Sequence, residues 1–291
     1  MTILLSGSTG FLGSYLLKSF IEKGFKVIAL KRSSSNLCRI ENALSHCIVY
    51  DVDAIELNTI FEMHPIDAVI NTVTNYGRSD KKFSSIVRTN LLFGLRLLEE
   101  SVNHNVQTFI NTDTLLDRNI NAYALSKSQL VDWMLFLSNH STKMVNIKIE
   151  HMYGPLDDKN KFIYWIVNQL KQNVKKIDLT SGIQKRDFIY IDDVIRAFLT
   201  IINSIGQLSN FEEFELGTGH SIEVRKFIDL IYSTLSQTKQ ITTKLNFGVV
   251  PYRDNENMDM VANISKLEQL GWNPTVIIQD GIKKIIEMEN K

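Results

Sequence analysis

The chain has 291 residues, 44% hydrophobic and 22% charged, enough for one large or two small domains with a real core. Its 32 Lys+Arg balance 32 Asp+Glu, and no basic block stands out, so a nucleic-acid partner is not expected. Cys38 and Cys47 lack metal-ligand spacing, no apolar run reaches the roughly 18 residues of a membrane span, and the first residues enter a strand without a leader pattern. A cytoplasmic protein with neither metal centre nor membrane anchor is the expectation.

Residues 2–24 organise the rest. A short apolar run at 3–5 reads as a buried strand, and glycines follow at Gly7, Gly10 and Gly13. Phe11, Leu12, Tyr15, Leu16, Phe20 and Ile21 then recur at helical spacing, and Gly24 closes the run. Strand, glycine turn and helix together predict a dinucleotide pyrophosphate site around Gly7, Thr9, Gly10, Phe11, Leu12 and Gly13. Glycines let backbone N–H groups approach the phosphates, and the helix presents its positive end to them.

A second strand, 26–30, ends at Lys31, Arg32 and Ser33. In a dinucleotide fold this point meets the adenosine ribose. An acidic residue would select a free 2′-hydroxyl; two cations and a hydroxyl favour the 2′-phosphate of NADPH, unless they are only a solvated basic loop. A third strand, 47–50, leads to Asp51 and Val52, with Asp51 placed to meet the adenine amino group. A fourth, 67–72, carries Asn71 and Thr72 to the carboxyl edge and Val73 just beyond, where open α/β sheets place ligands. Tyr76 and Arg78 lie in the loop above.

A long helix over 82–102 is predicted, with Leu91, Leu92, Leu95 and Leu98 inward and Asn90 bonding a neighbouring strand. The fifth strand spans 108–111 and is followed by Thr112, Asp113 and Thr114; a helix over 122–139 and a sixth strand, 144–149, come next. This alternation predicts a doubly wound α/β parallel sheet. Beyond it come a helix at 162–171, a strand at 187–190 and a helix at 194–204, with Asp192 and Asp193 as N-caps. The expected division is a dinucleotide-binding domain of 1–151 plus about 181–205. A smaller α/β substrate domain takes about 152–180 plus 206–291, with a cleft between them.

Tyr123 and Lys127 lie four residues apart at the start of a helix, on one face. A neighbouring ammonium is expected to lower the phenol from its ordinary value near ~10 and make it a usable proton donor or acceptor. Thr112, at the neighbouring strand end, can add a hydroxyl that orients a carbonyl. Arg186 and Arg253 are candidates for a diphosphate because guanidinium forks suit phosphate oxygens, with a surface ion pair as the competing use of each. Glu150 and His151 follow the sixth strand, where they would meet ligand or else pack.

The motifs GSTGFLG, NTD at 111–113, YALSK, MYGP at 152–155, RDFIYIDD at 186–193 and NISKLEQLGWNPT at 263–275 resemble the extended short-chain dehydrogenase/reductases along the whole chain. Members act mostly on nucleotide-diphosphate sugars. The resemblance implies Tyr123 as acid/base, Thr112 as its hydroxyl partner, Lys127 also on the nicotinamide ribose, and a homodimer. Dehydratases of this kind carry Thr-Asp-Glu where this chain has Thr112-Asp113-Thr114, so dehydration is not expected. The stretches IKIEHMYGP with NKF after it (Lys161, Phe162) and SGIQKRDFIYIDD resemble 4-ketoreductases that use CDP-4-keto-3,6-dideoxyglucose in O-antigen synthesis. The implied activity is NADPH-dependent reduction of the C4 ketone of a CDP-sugar. The implied cofactor contacts include Thr72, Val73 and His151, and the sugar contacts Tyr76, Arg78, Asp113, Glu150, Lys161, Phe162, Arg186 and Arg253. Two other readings are an NAD-dependent 4-epimerase and a non-catalytic, cofactor-sensing regulator on the same fold.

Overall fold

The structure is a computed structural model, and it describes residues 1–78, 82–254 and 256–288. Taken along the chain, the first part is β1 (Thr2–Ser6), α1 (Phe11–Glu22), β2 (Lys26–Lys31), β3 (Ile48–Asp51), α2 (Leu57–Met63), β4 (Ala68–Asn71), α3 (Phe83–Val87), α4 (Phe93–Asn103), β5 (Thr108–Thr114), α5 (Ala122–Leu137) and β6 (Lys143–Ile149). There follow β7 (His151–Tyr153), α6 (Phe162–Lys171), β8 (Lys176–Leu179), β9 (Lys185–Arg186), β10 (Phe188–Tyr190), α7 (Ile191–Asn203), β11 (Phe211–Leu216), β12 (Ile222–Glu223), α8 (Val224–Ser236), β13 (Lys244–Phe247), α9 (Ser265–Gln269) and α10 (Ile278–Met288).

Seven strands form one sheet in the order β11-β6-β5-β4-β1-β2-β3. From β3 to β6 each neighbouring pair is parallel. This is the doubly wound α/β arrangement, reversing direction between β1 and β4, and ligands bind such sheets at the carboxyl ends beside that reversal. The strands are apolar because helices cover both faces: Ile3, Leu4, Leu5, Ala68, Val69, Ile70, Phe109 and Ile110 are fully buried. Val106, Leu97, Leu98, Leu130 and Met134 pack against Leu4, Val69 and Phe109.

The chain divides into two compact units, Met1–Ile149 with Phe198–Phe214, and Glu150–Ala197 with Glu215–Lys291. The chain re-enters the first unit at Phe198, inside α7, rather than near 181. The segment before it is tied to the second unit by two buried carboxylates. Asp187 accepts from Thr218 N, Gly219 N and Ala262 N. Asp193 accepts from Thr275 N and Val276 N. Asp193 is therefore no N-cap: α7 starts earlier, at Ile191, and Asp192 pairs with Lys284. Within the second unit β7 pairs with β10, β8 with β13 and β9 with β12.

The long helix expected over 82–102 is interrupted. Residues Arg88–Leu92 wind as a π-helical turn between α3 and α4. The wider turn shifts the buried stripe by a residue, since π-bulges insert extra chain into the helical period. Leu97 and Leu98 are buried, whereas Leu92, expected inward, is 51% exposed.

Candidate active site

The glycine turn after β1 has the conformation the sequence required. Gly7 sits at φ +72°, in the left-handed region that side chains avoid, and its carbonyl accepts from Gly10 N at 2.9 Å. A Cβ on Gly13 would overlap the Gly7 carbonyl oxygen, and one on Gly7 would meet Val73 N at 3.1 Å. So Gly13 lets α1 close against the turn, and Gly7 lets the turn lie against the end of β4. Gly10 is the N-cap of α1 and offers no side-chain cap, which leaves first-turn N–H groups around Phe11 and Leu12 for an anion. These features fit a dinucleotide pyrophosphate. A nicotinamide dinucleotide bound there would supply hydride chemistry.

At the adenosine end, Lys31 Nζ bonds Asp51 Oδ2 at 2.9 Å. Ser33 Oγ donates to the same carboxylate oxygen at 2.8 Å, and the Asp51 carboxyl is held below the usual range by Lys31 first of all. Asp51 is the last residue of β3 rather than just beyond it, and Val52 N bonds Lys31 O at 2.9 Å. Arg32 is exposed. The sequence reading missed Arg39, whose guanidinium reaches the Thr9 carbonyl at 3.4 Å; a lone arginine eight residues past a strand carries no signal of that contact.

A row of buried amides locks the carboxyl ends of the central strands. Ser6 Oγ donates to Asn71 Oδ1 at 2.8 Å, Asn71 Nδ2 to Asn111 Oδ1 at 3.1 Å, and Asn111 Nδ2 to Asn146 Oδ1 at 3.0 Å. Asn146 Nδ2 then donates to both Asp113 and Glu213 at 3.0 Å. The register pairs Asn71 with Asn111 and Asn111 with Asn146, so the side chains share one face of adjacent strands. Beyond this row, Thr72 Oγ1 donates to Ser6 O at 2.7 Å.

α5 starts where Asn121 caps it, its side chain accepting from Ala124 N at 2.9 Å. Its first turns carry Tyr123 and Lys127. Lys127 is 1% exposed, and its ammonium donates to Thr112 O at 2.8 Å and Val73 O at 3.1 Å. Burial lowers its pKa to about 8, and Asp113 opposes that fall. The cation does not bring the phenol down. Burial pushes Tyr123 well above its ordinary value, Tyr76 and Asp113 add to the rise, and Thr114 and Arg78 oppose it. The expected lowering is thus reversed: desolvation of a phenolate outweighs the charges around it.

The loop above is built onto α5. The Tyr76 and Tyr123 rings lie 5.0 Å apart, and the Arg78 guanidinium is 5.0 Å over the Tyr76 ring. Asn90, in the π-helical turn, bonds the backbone of Asn75 in this loop and the Ser126 hydroxyl of α5, rather than a neighbouring strand. β5 runs to Thr114, so Thr112, Asp113 and Thr114 are strand residues. Thr112 Oγ1 donates to Asn71 O at 3.0 Å. Asp113 is 7% exposed, and burial raises its carboxyl despite the Asn146 hydrogen bond.

In the second unit, Glu150 holds His151, with Nδ1 and Oε2 2.7 Å apart. Glu150 Oε1 is buried with no protein partner, and the His151 side chain is 42% exposed. Lys161 pairs with Asp157 at 2.9 Å, and Phe162 is 41% exposed beside Trp165. Arg186 is 7% exposed; its guanidinium bonds Glu256 and the Asn257 and Lys185 carbonyls. Arg253 is exposed. Among the described residues no cluster of His, Cys, Asp or Glu could hold a metal ion, and no helix is long and apolar enough to cross a membrane.

A doubly wound sheet with a glycine turn and a Tyr-Lys pair beside its reversal point defines a nucleotide-dependent enzyme of the short-chain dehydrogenase/reductase type. The chain belongs to the NAD dependent epimerase/dehydratase family, whose model matches residues 3–217. It is 33% identical to CDP-abequose synthase from Salmonella muenchen over 99% of this chain and 97% of that protein. It is 25% identical to dTDP-4-dehydro-6-deoxyglucose reductase of Escherichia coli, over 98% and 96%. Among solved structures, UDP-glucose 4-epimerase from Thermotoga maritima with UDP-glucose superposes with a TM-score of 0.85 at 22% identity, covering 100% of this chain and 99% of that one. The protein is an enzyme of this family that acts on nucleotide sugars.

Proposed function

We propose that the protein reduces the C4 ketone of a CDP-linked 4-keto-dideoxysugar with NADPH, in the making of a surface polysaccharide such as an O-antigen. The observation that carries this reading is the state of Tyr123: burial holds the phenol protonated beside a buried lysine. A ketone being reduced needs a proton at its oxygen, and a protonated phenol donates one. Lys127, with two of its protons on carbonyls, has a third for the cofactor ribose or the phenolate. The likeness to CDP-abequose synthase supports the CDP-sugar and the direction of reaction. Threonine at 114 removes the acid/base carboxylate that a dehydratase uses there.

Binding roles follow. Gly7, Thr9, Gly10 and Gly13 hold the pyrophosphate. Lys31, Arg32 and Ser33 take the 2′-phosphate, with Lys31 shared with Asp51. Thr72, Val73 and Lys127 line the nicotinamide end. The unpartnered Glu150 Oε1 suits a sugar hydroxyl, and His151 and Arg253 suit phosphate oxygens. Arg186 contributes through the Glu256 segment it holds. Exposed Leu125, Trp133 and Phe136 on α5 with Leu92 form an apolar surface for a second copy, a homodimer. The cytoplasm, which holds NADPH, is the proposed location.

The test is a panel of CDP-, dTDP- and UDP-4-keto sugars with NADPH and NADH, with product stereochemistry read by NMR. Stoichiometric NADPH oxidation with the CDP-sugar is expected. Tightly held NAD after purification, with interconversion of C4 epimers and no net NADPH use, would establish the epimerase instead.

A further inference from the structure

The amide row across the sheet has a direction. Its last member, Asn146, gives one Nδ2 proton to Asp113 Oδ2 and the other to Glu213 Oε2, each at 3.0 Å, and Glu213 Oε1 pairs with Lys148 at 2.6 Å. An ionised carboxylate only accepts, so the nitrogen of Asn146 faces the two acids and its oxygen faces Asn111. That choice passes back along the row: Asn111 donates to Asn146, Asn71 to Asn111, and Ser6 to Asn71. Bonds aligned head to tail in a dry interior strengthen one another, and these four side chains are buried. Asn111 and Asp113, two apart on β5, share the face that carries the row. Both carbonyls that hold Lys127 adjoin it. Thr112 O, which takes the ammonium at 2.8 Å, belongs to the same peptide group as the nitrogen of Asp113. Val73 O takes it at 3.1 Å, and Val73 N donates to Asn71 Oδ1 at 3.4 Å.

We propose that Asp113 is a positioning residue for Lys127 and not a contact for the sugar: held by Asn146, it fixes the peptide whose oxygen grips the ammonium and supplies the anion that this buried cation lacks. The inference rests on the reductase reading for its turnover arm alone. The pairing is complementary. Glu213 has Lys148 as its cation. Asp113, the more buried acid, has no cation among its hydrogen-bond partners, and Lys127, gripping the adjoining peptide, has no anion among its own. A buried ammonium favours its charged form only where a negative group offsets its desolvation. The Asp113 charge opposes the fall that burial imposes on Lys127, and Lys148, on β6, acts on Asp113 in turn. Tyr123, on α5 itself, is governed first by its own burial, with Tyr76, Asp113 and Arg78 also acting on it. No proton changes owner in this role, since Asp113 stays an acceptor throughout.

The test labels lysine with carbon-13 at the ε carbon and follows the titration of Lys127 by NMR, its signal assigned by loss in Lys127→Met, in protein free of sugar and cofactor. Asp113→Asn keeps the shape and removes the charge. It is expected to lower the Lys127 midpoint from about 8 by about one pH unit. Glu213→Gln, one amide further away, should move it by under about half as much. In turnover, Asp113→Asn should lower kcat by about 10-fold or more and leave the sugar KM within about 2-fold. An unmoved Lys127 midpoint in Asp113→Asn, an equal fall in Glu213→Gln, or a sugar KM that rises while kcat holds, overturns the assignment. A second measurement is made on the wild type: both side-chain amide protons of Asn146, assigned by their loss in Asn146→Ser, should exchange slowly with water. Fast exchange would refute the bond that holds Asp113. The titration needs neither sugar nor cofactor, so a protein that shows the shift and reduces no 4-keto sugar refutes the function reading alone.

Discussion

Asn90 and Asn75 clasp each other: the Asn90 Oδ1 accepts from Asn75 N at 2.7 Å, and its Nδ2 donates to Asn75 O at 3.0 Å. The same Nδ2 reaches Ser126 Oγ at 2.9 Å, one residue from Lys127. A fully buried side chain from the π-helical turn thus holds the Tyr76 loop against the helix bearing Tyr123. Asn90→Leu keeps the branched outline but leaves a backbone N–H and carbonyl without partners. A loss of about 2 kcal/mol is expected in denaturant unfolding, with kcat falling more than the population of folded protein does. Wild-type kcat in a stably folded Asn90→Leu would show that the clasp does not set the site.

Removing the Lys127 charge should stabilise the protein at neutral pH. Its folded pKa of about 8 lies below the ordinary lysine value, so between the two the unfolded chain binds more protons than the folded one. Wild-type stability therefore rises with pH across that window, by an amount on the order of 3 kcal/mol, and is lost again as pH falls through about 8. Lys127→Met should lack this rise while abolishing turnover. Unfolding midpoints of both proteins from pH 7 to 10 decide it; parallel curves would mean that the ammonium is not desolvated.

Most of the sheet and the glycine turn were legible in the sequence because each depends on local signals: apolar runs, helical spacing and glycines at fixed intervals. The π-helical turn was not, because nothing in RTNLL sets it apart from an α-helix, and the partners of Asn90 lie outside the segment. Asn71 and Asn111 stood out at strand ends, but Asn146 did not, since its meaning is a cross-strand partner that only register reveals. The titration of Tyr123 was misjudged, because four-residue spacing places Lys127 on the same face without directing its ammonium to the phenol. That ammonium is spent on two carbonyls.

Gly13→Ala should abolish cofactor binding. The added methyl would strike the Gly7 carbonyl oxygen and push α1 away from the turn that holds it. Gly24→Ala is the control, since a Cβ there meets nothing, although φ +79° makes it cost about 1 kcal/mol. Fluorescence titration with NADPH should show no saturation for Gly13→Ala and near wild-type affinity for Gly24→Ala. Equal affinity in both would remove the turn from the cofactor site.

The choice between NADPH and NADH should turn on Asp51 as much as on the cations. Lys31 is bonded to the Asp51 carboxylate, which lies beside Ser33 where a 2′-phosphate would come. Asp51→Asn removes a charge that repels phosphate and frees Lys31 to face it. The ratio of NADPH to NADH affinity is expected to rise about 10-fold, the usual effect of one partly exposed charge at close range. Neutralising Lys31 and Arg32 together should lower that ratio by about 100-fold, with NADH affinity nearly unchanged. Both ratios are measured by binding titration at fixed salt, because screening weakens each contact. Parallel losses for the two cofactors in the double variant would place the phosphate away from β2, and Arg39, at the Thr9 carbonyl, would be the next side chain to neutralise.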